Sequence, residues 1–236
     1  MDRSSLKLFE HNIVDIPQLK QINTDAGRRY ETPSGTLYPS ITTILSHKSK
    51  PFIDAWRKRV GADVANKISN KASTRGTKIH QLCEDILNNK LTDDSSLNYI
   101  DKEMFQKFRP LLDDIGVINS IESKLYSDHL RLAGQVDCIA EYKGKVSIID
   151  FKTSSRRKTR SQIKSYFMQA TAYATMFEEM TSSPIEQMVI IMAVENDPTP
   201  LVFVEKDREE WMDLLLEAFA YYKEHGHPAQ KRLFKE

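Results

Sequence analysis

The sequence predicts an α/β protein, and three observations carry that reading. Helical patterns dominate from about Ser40 to residue 113, short β runs begin after Gly116, and further helical patterns cross between the later strands. Helices followed by strands with crossing helices suit a layered α/β or α+β domain around one core. At 236 residues the chain suits one domain, or one domain with a substantial insertion, and 40% hydrophobic residues can support a sizeable core.

The first twenty or so residues are weakly patterned. RRYETPSGTLYPSITTIL then reads as a hairpin turning at Pro33, Ser34 and Gly35, followed by a helix capped near Ser40. From Phe52 to Asn89 the pattern is helical, with Ile53, Trp56 and Val60 on one apolar stripe and Ile79, Leu82, Cys83 and Ile86 on another. A further helix is expected over residues 99 to 113. VINSIESKLY reads as a strand, and GQVDCIAEYKGKVSIIDFKTS as a β-hairpin. A helix from about Gln162 to Met180, strands at MVIIMAV and LVFVE, and a helix from about Asp207 to Glu224 complete the series. No internal repeat or low-complexity segment interrupts it.

The net charge of +1 excludes a polycation, so any nucleic-acid contact must come from a local basic patch. No apolar run approaches the ~20 residues of a membrane span. The opening MDRSSLKLFEHNIVD has early acids and resembles neither a secretory signal nor an Arg-rich organellar leader. Cys83 and Cys138 have no metal-like spacing and read as free buried thiols in a reducing compartment.

The hairpin raises the chemical question. With Lys143 and Gly144 as the turn, Tyr142 pairs with Lys145, and Asp137 falls directly opposite Asp150 on one face. Lys152 shares that face, with Gln135 across from it. Val136, Cys138, Ala140, Ile149 and Phe151 form the other, core-facing side. Two facing carboxylates repel across a strand pair, and a divalent cation such as magnesium, which takes oxygen ligands, removes that cost. The bland alternative is an Asp/Asp/Lys ion-pair cluster on an exposed sheet face; Ile139 and Ile148 beside it argue against full exposure. The reading depends on register, since a shift of one residue would separate the acids.

Asp137 followed by Asp150-Phe151-Lys152 resembles the motif of the PD-(D/E)xK nuclease superfamily. RGTKIHQLCE with His80, IESKLY with Glu122, and QATAY with Gln169 and Tyr173 extend the likeness to its RecB-like branch. YPSITTIL, FIDAWRKRV and VDCIAEYKGK look like the mitochondrial genome maintenance exonucleases and their phage counterparts. The resemblance implies a restriction-endonuclease-like core, a central mixed β-sheet flanked by helices, with an N-terminal helical arch region. It would divide the single nuclease domain (residues 1–236) into a hairpin and arch over 29–115, a catalytic core over 116–225 and a tail over 226–236.

The same resemblance implies roles. Asp137 and Asp150 would hold Mg²⁺ or Mn²⁺ with His80 and the Phe151 main-chain carbonyl, and Lys152 would position the attacking water or stabilise phosphate charge. Glu122 would hold a second metal or fix Lys152, with a plain strand-edge acid as the alternative, and Glu84 is a supporting or merely solvated acid. Gln169 and Tyr173, four apart on one helix face, would contact the DNA near the scissile phosphate, or simply pack. Thr153, Ser154, Ser155, Arg156, Arg157, Lys158, Arg160 and Lys164 follow the motif strand and suit phosphate contacts. Trp56, Arg57, Lys58 and Arg59 combine an aromatic with basic groups, a composition suited to single strands, although Trp56 could equally be core.

The function expected is a metal-dependent exonuclease on single-stranded DNA, entered from free ends and preferring the 5′ end, in replication, repair or recombination. A RecB-like recombination nuclease on duplex ends and a non-catalytic nucleic-acid-binding module are the competing classes. A monomer in the cytoplasm of a bacterial or phage-infected cell is expected, with the mitochondrial matrix as the lesser alternative and no membrane partner.

Overall fold

In a computed structural model of the chain, the described residues are 7–226 apart from 26, 91, 93, 196 and 198. The predicted tail therefore lies outside the described residues from position 227 onward.

The weakly patterned N-terminal region contributes a strand that the sequence did not signal. β1 (Lys20–Thr24) pairs antiparallel with β2 (Gly27–Glu31), which pairs with β3 (Leu37–Pro39) across the predicted turn. Ser40 is the N-cap of α1 (Ile41–Val60), as predicted, but its hydroxyl bonds Thr42 rather than a helix N–H. The helical pattern that reads as continuous is two helices. Gly61, at φ +88°, breaks it before α2 (Ala62–Leu87), and only glycine adopts that backbone without strain. α3 (Tyr99–Phe108) is capped by the Asn98 side chain and runs into a 3₁₀ turn over Arg109–Asp114.

The central sheet has the order β4 (Ile115–Ser127), β5 (Leu132–Tyr142), β6 (Lys145–Ser154), β7 (Gln187–Val194), β8 (Leu201–Glu205). All neighbours are antiparallel except β6 and β7, which are parallel because α4 (Lys164–Thr181) carries the chain back between them. QMVIIMAV is buried along its whole length, as a strand covered on both faces must be. α5 (Glu209–His225) closes the described chain.

Each sheet face has its own core. On one, Ile41 and Ile44 of α1, Phe167 and Tyr173 of α4, and Trp211 and Tyr222 of α5 pack on Ile139, Ile148 and Ile190. On the other, Ile79, Leu82, Cys83 and Ile86 of α2 and Phe105 and Phe108 of α3 pack on Cys138, Ile149 and Phe151. The α2 stripe is thus core, as predicted. The α1 stripe is not: Ile53 is 46% and Phe52 77% exposed, while Trp56 and Val60 are half-buried. The reason is that the second half of α1 and the first half of α2 stand off the sheet. Residues 48–55 and 66–74 are exposed throughout, so this stretch has no core to face.

Candidate active site

The hairpin forms in the predicted register from Tyr142–Lys145 through Cys138–Ile149. There the ladder ends, and Asp137 does not continue it as a partner of Asp150. Its Oδ2 instead accepts the main-chain N–H of Phe151 at 2.8 Å. A backbone distortion accompanies this one strand away. Glu122 of β4, beside Asp137, has φ +50°, a left-handed backbone that costs a non-glycine residue about 1–3 kcal/mol and marks a constrained site. Side-chain alternation reverses at this kink. Val136, predicted beside Cys138 and Ala140, packs in the opposite core with Leu125 and Ile139. Gln135, predicted opposite Lys152, pairs with Lys124 on β4 and donates its amide to Glu122 Oε2 at 2.6 Å.

Beside the kink, Asp137 meets α2. His80 Nδ1 lies 3.6 Å from Asp137 Oδ2, and its ring meets the Phe151 ring edge-on at 6.3 Å. His80, Glu122 and Asp137 each offer one ligand atom, and these atoms all lie within 4.8 Å of one another. One imidazole and two carboxylates fit a small divalent cation. His80 and Glu122 of the cluster line a cleft of about 350 Å³, with Gly76, Thr77, Gln81 and Glu84. Glu84 thus lines the cleft and bonds Gln81.

Asp150 and Lys152 stay on the α4 face. Lys152 Nζ is 2.5 Å from Asp150 Oδ2 and 5.3 Å from the centre of the Tyr166 ring. The Asp150 side chain is 2% exposed, that of Lys152 19%, so the ammonium retains access to the site. Burial pushes the Asp150 carboxyl up to about 6, against the pull of Lys152. Burial disfavours the Lys152 ammonium, but the charges of Asp150 and Asp137 outweigh it and hold Lys152 above its ordinary value. Burial, helped by the Asp137 charge, pushes Glu122 up to about 7.

These shifts fix a sign. Carboxyls whose folded values lie above their unfolded ones contribute stability that is complete in acid and lost as pH rises through about 6 and then about 7. In metal-free solution the melting temperature is expected to fall between about pH 4 and about pH 7, and Glu122→Gln to flatten the upper part of that fall. An unchanged profile in the variant would show that Glu122 is not the group responsible.

The remaining predicted contacts are placed unevenly. Gln169 Nε2 donates to Tyr173 Oη at 2.9 Å, but Tyr173 is fully buried and has no surface to offer a strand. Its ring lies over Gly134, where a Cβ would come within 2.6 Å of it; the glycine of GQVD is there to admit Tyr173. Tyr173 can hold Gln169 but cannot touch a substrate. Thr153 and Ser154 are half-buried at the end of β6, whereas Ser155 and Arg156 are exposed. Much of the basic stretch is already engaged. Arg157 bonds Asp197 at 2.7 Å, Lys164 lies 3.6 Å from Glu210, and Arg160 pairs with Glu205 while lying on the Phe167 and Trp211 rings. Arg156 and Lys158 carry no acidic partner among the described residues. Arg57 bonds Asn66 across the α1–α2 break at 2.7 Å, Lys58 and Arg59 are exposed, and Trp56 is half-buried on the same projecting helix. Tyr166 was not singled out in the sequence, and Gln135 only as the residue across from Lys152. Gln135 sits inside GQVD itself, and Tyr166 two positions beyond the basic run.

A family model described as the PD-(D/E)XK nuclease superfamily matches residues 94–224. That span takes in Glu122, Asp137, Asp150, Lys152, Gln169 and Tyr173 but begins after His80. Mitochondrial genome maintenance exonuclease 1 of Homo sapiens is 27% identical over 175 residues, covering 69% of this chain and 50% of that protein. Its Mus musculus counterpart is 27% identical over 128 residues, covering 51% and 38%, and that of Xenopus tropicalis 27% over 143 residues, covering 55% and 40%. The chain spans between about two fifths and half the length of these relatives.

Proposed function

The chain belongs to the PD-(D/E)XK nuclease superfamily, and from that premise we propose that it is an Mg²⁺- or Mn²⁺-dependent exonuclease that shortens single-stranded DNA from free ends. The observation that carries this reading is the convergence of His80, Glu122 and Asp137 beside the ion pair of buried Asp150 with Lys152.

The reaction adds water across a P–O ester bond. One P–O bond forms, one breaks, and the departing sugar oxygen takes up a proton. A divalent ion supplies charge neutralisation at phosphate and a more acidic water. His80, Glu122 and Asp137 would hold it, with Asp150 and the Phe151 carbonyl completing the set. Asp137 also anchors the Phe151 N–H, so the same carboxylate ties β5 to the strand that bears Asp150 and Lys152. Lys152, held by Asp150 and lying over Tyr166, presents a cation where the phosphate gains charge or where the attacking water must be oriented.

The preference for single strands with ends draws on α2. Its C-terminal half lines the cleft, and its N-terminal half stands off with α1, carrying exposed Phe52, Ile53, Val64 and Ile68 among lysines and arginines. Apolar and basic groups together suit bases and phosphates of an unpaired strand. Entry at the 5′ end, and a role in replication, repair or recombination, follow the resemblance to genome maintenance exonucleases. No helix among the described residues is long and apolar enough to cross a membrane.

Linear single-stranded DNA, circular single-stranded DNA and blunt duplex, each labelled and supplied with Mg²⁺ or Mn²⁺, separate the possibilities. Linear single strands are expected to shorten to small oligonucleotides, the other two to be spared, and the rate to fall as salt screens phosphate contacts. Rapid cutting of the circle would make the enzyme an endonuclease. Efficient digestion of blunt duplex would favour a recombination nuclease, and no metal-dependent cutting at all would leave a binding module.

A further inference from the structure

We propose that Arg75 sets the position of α2 on the sheet and thereby places His80 over Asp137. It is a positioning residue for the metal-holding cluster, and the inference rests on the reading of that cluster given above.

Arg75 stands where α2 changes character. Residues 66–74 are exposed, whereas from Arg75 the helix is packed, with Ile79, Leu82, Cys83 and Ile86 buried. Four positions before Ile79 that buried stripe calls for an apolar residue, and the sequence supplies an arginine only 4% exposed. Its Nε bonds Asp101 of α3 at 2.6 Å and its Nη1 bonds Glu195 at 2.8 Å, while Nη2 is buried with no partner among the described residues. Glu195 directly follows β7, and its N–H bonds the Ser154 carbonyl at the end of β6. The guanidinium thus joins the helix that carries His80 to the strand pair that carries Asp150 and Lys152.

A planar fork reaching two acids in fixed directions is a geometric device that a point charge cannot copy. Buried ion pairs stabilise little relative to neutral groups of similar shape, and their attested use is to fix register. Here the register matters. The exposed half of α2 buries only Ala65 and reaches the sheet through the exposed Lys71, whose Nζ lies 3.2 Å from the same Glu195, and His80 lies only five residues beyond Arg75. Without the clamp, motion of the exposed half would pass directly to the imidazole.

The test removes the whole triad, so that no buried charge is orphaned. The variant Arg75→Met/Asp101→Asn/Glu195→Gln is compared with wild type for melting temperature, Mn²⁺ affinity by titration calorimetry and amide hydrogen exchange of residues 76–87 in metal-free protein. Melting is expected to change little, Mn²⁺ affinity to fall about 10–100-fold, the range seen when a supporting partner of a metal ligand is lost, and α2 exchange to accelerate. Wild-type affinity in the folded variant overturns the proposal, even if exchange is faster. If the wild-type protein binds no Mn²⁺, the metal reading fails; exchange then decides alone, faster exchange supporting the clamp and unchanged exchange overturning it. Should the triple variant not fold, Glu195→Ala alone removes the acceptor of Arg75 Nη1 and is read the same way.

Discussion

Asp137→Asn is expected to abolish cleavage while leaving the fold intact. The side-chain oxygen of asparagine can still accept the Phe151 N–H that Asp137 Oδ2 accepts at 2.8 Å, so the junction between β5 and β6 keeps its hydrogen bond. What disappears is the charge that faces His80 and Glu122. The remaining pair no longer neutralises a divalent ion, and cleavage of a linear single strand is expected to fall by at least the ~10²–10³-fold that loss of one electrostatic stabiliser costs. Binding of the same DNA, followed by fluorescence anisotropy, is expected to persist or tighten, because a less anionic cleft repels phosphate less. The variant also relieves Glu122 of a neighbouring charge that raises its pKa. An Asp137→Asn protein that cleaves at the wild-type rate after metal depletion and reloading would remove Asp137 from the chemistry.

The sequence made the hairpin legible because its information is local. Turn residues fix the pairing, pairing fixes which residues face each other, and the register from Tyr142–Lys145 to Cys138–Ile149 follows. The buried stripe of α2 and the cap at Ser40 are local in the same sense. What pattern reasoning could not supply is the kink at Glu122. A left-handed backbone at a glutamate inside a long strand has no local signature, since nothing about Glu122 itself favours φ +50°. Yet beside that kink Asp137 leaves the ladder and meets a helix some fifty residues earlier in the chain, while its charge still acts on Asp150. A facing pair of acids gives way to a cluster of His80, Glu122 and Asp137 with Asp150 set behind it.

Charge partners were hidden for a related reason. Arg157, Arg160 and Lys164 read as a free basic stretch because their acids, Asp197, Glu205 and Glu210, lie some forty residues later or more. The resemblance implied a substrate contact for Tyr173, with packing as the alternative. Its burial is decided by Gly134 on another strand, whose missing side chain opens the space. In the projecting part of α1 the opposite error arises. Ile53, Trp56 and Val60 have core spacing, but periodicity only states which residues share a face, not that anything covers it.

Lys152→Met is expected to fold, yet cleave about 10²–10³-fold more slowly, by analogy with a lost oxyanion donor. Methionine keeps an unbranched stem of similar reach beside Tyr166 and removes only the ammonium. Two consequences follow from that single loss. The phosphate, or the water that attacks it, loses the cation presented at the end of β6. Asp150 also loses the neighbour that draws its carboxyl down against burial, so its pKa, already up to about 6, rises further. A carboxyl with a higher pKa is neutral over a wider range, and the acid limb of the residual pH–rate profile is therefore expected to move to higher pH. The second effect separates this variant from one that merely perturbs packing, because loss of a methylene contact would lower the rate without displacing the profile. Mn²⁺ affinity measured near pH 8 is expected to change little, since the deleted group is a cation and not a ligand. A Lys152→Met enzyme with the wild-type rate would reduce Lys152 to a structural partner of Asp150; a slow enzyme with an unmoved acid limb would assign the loss to the phosphate contact alone and show that Lys152 does not govern Asp150.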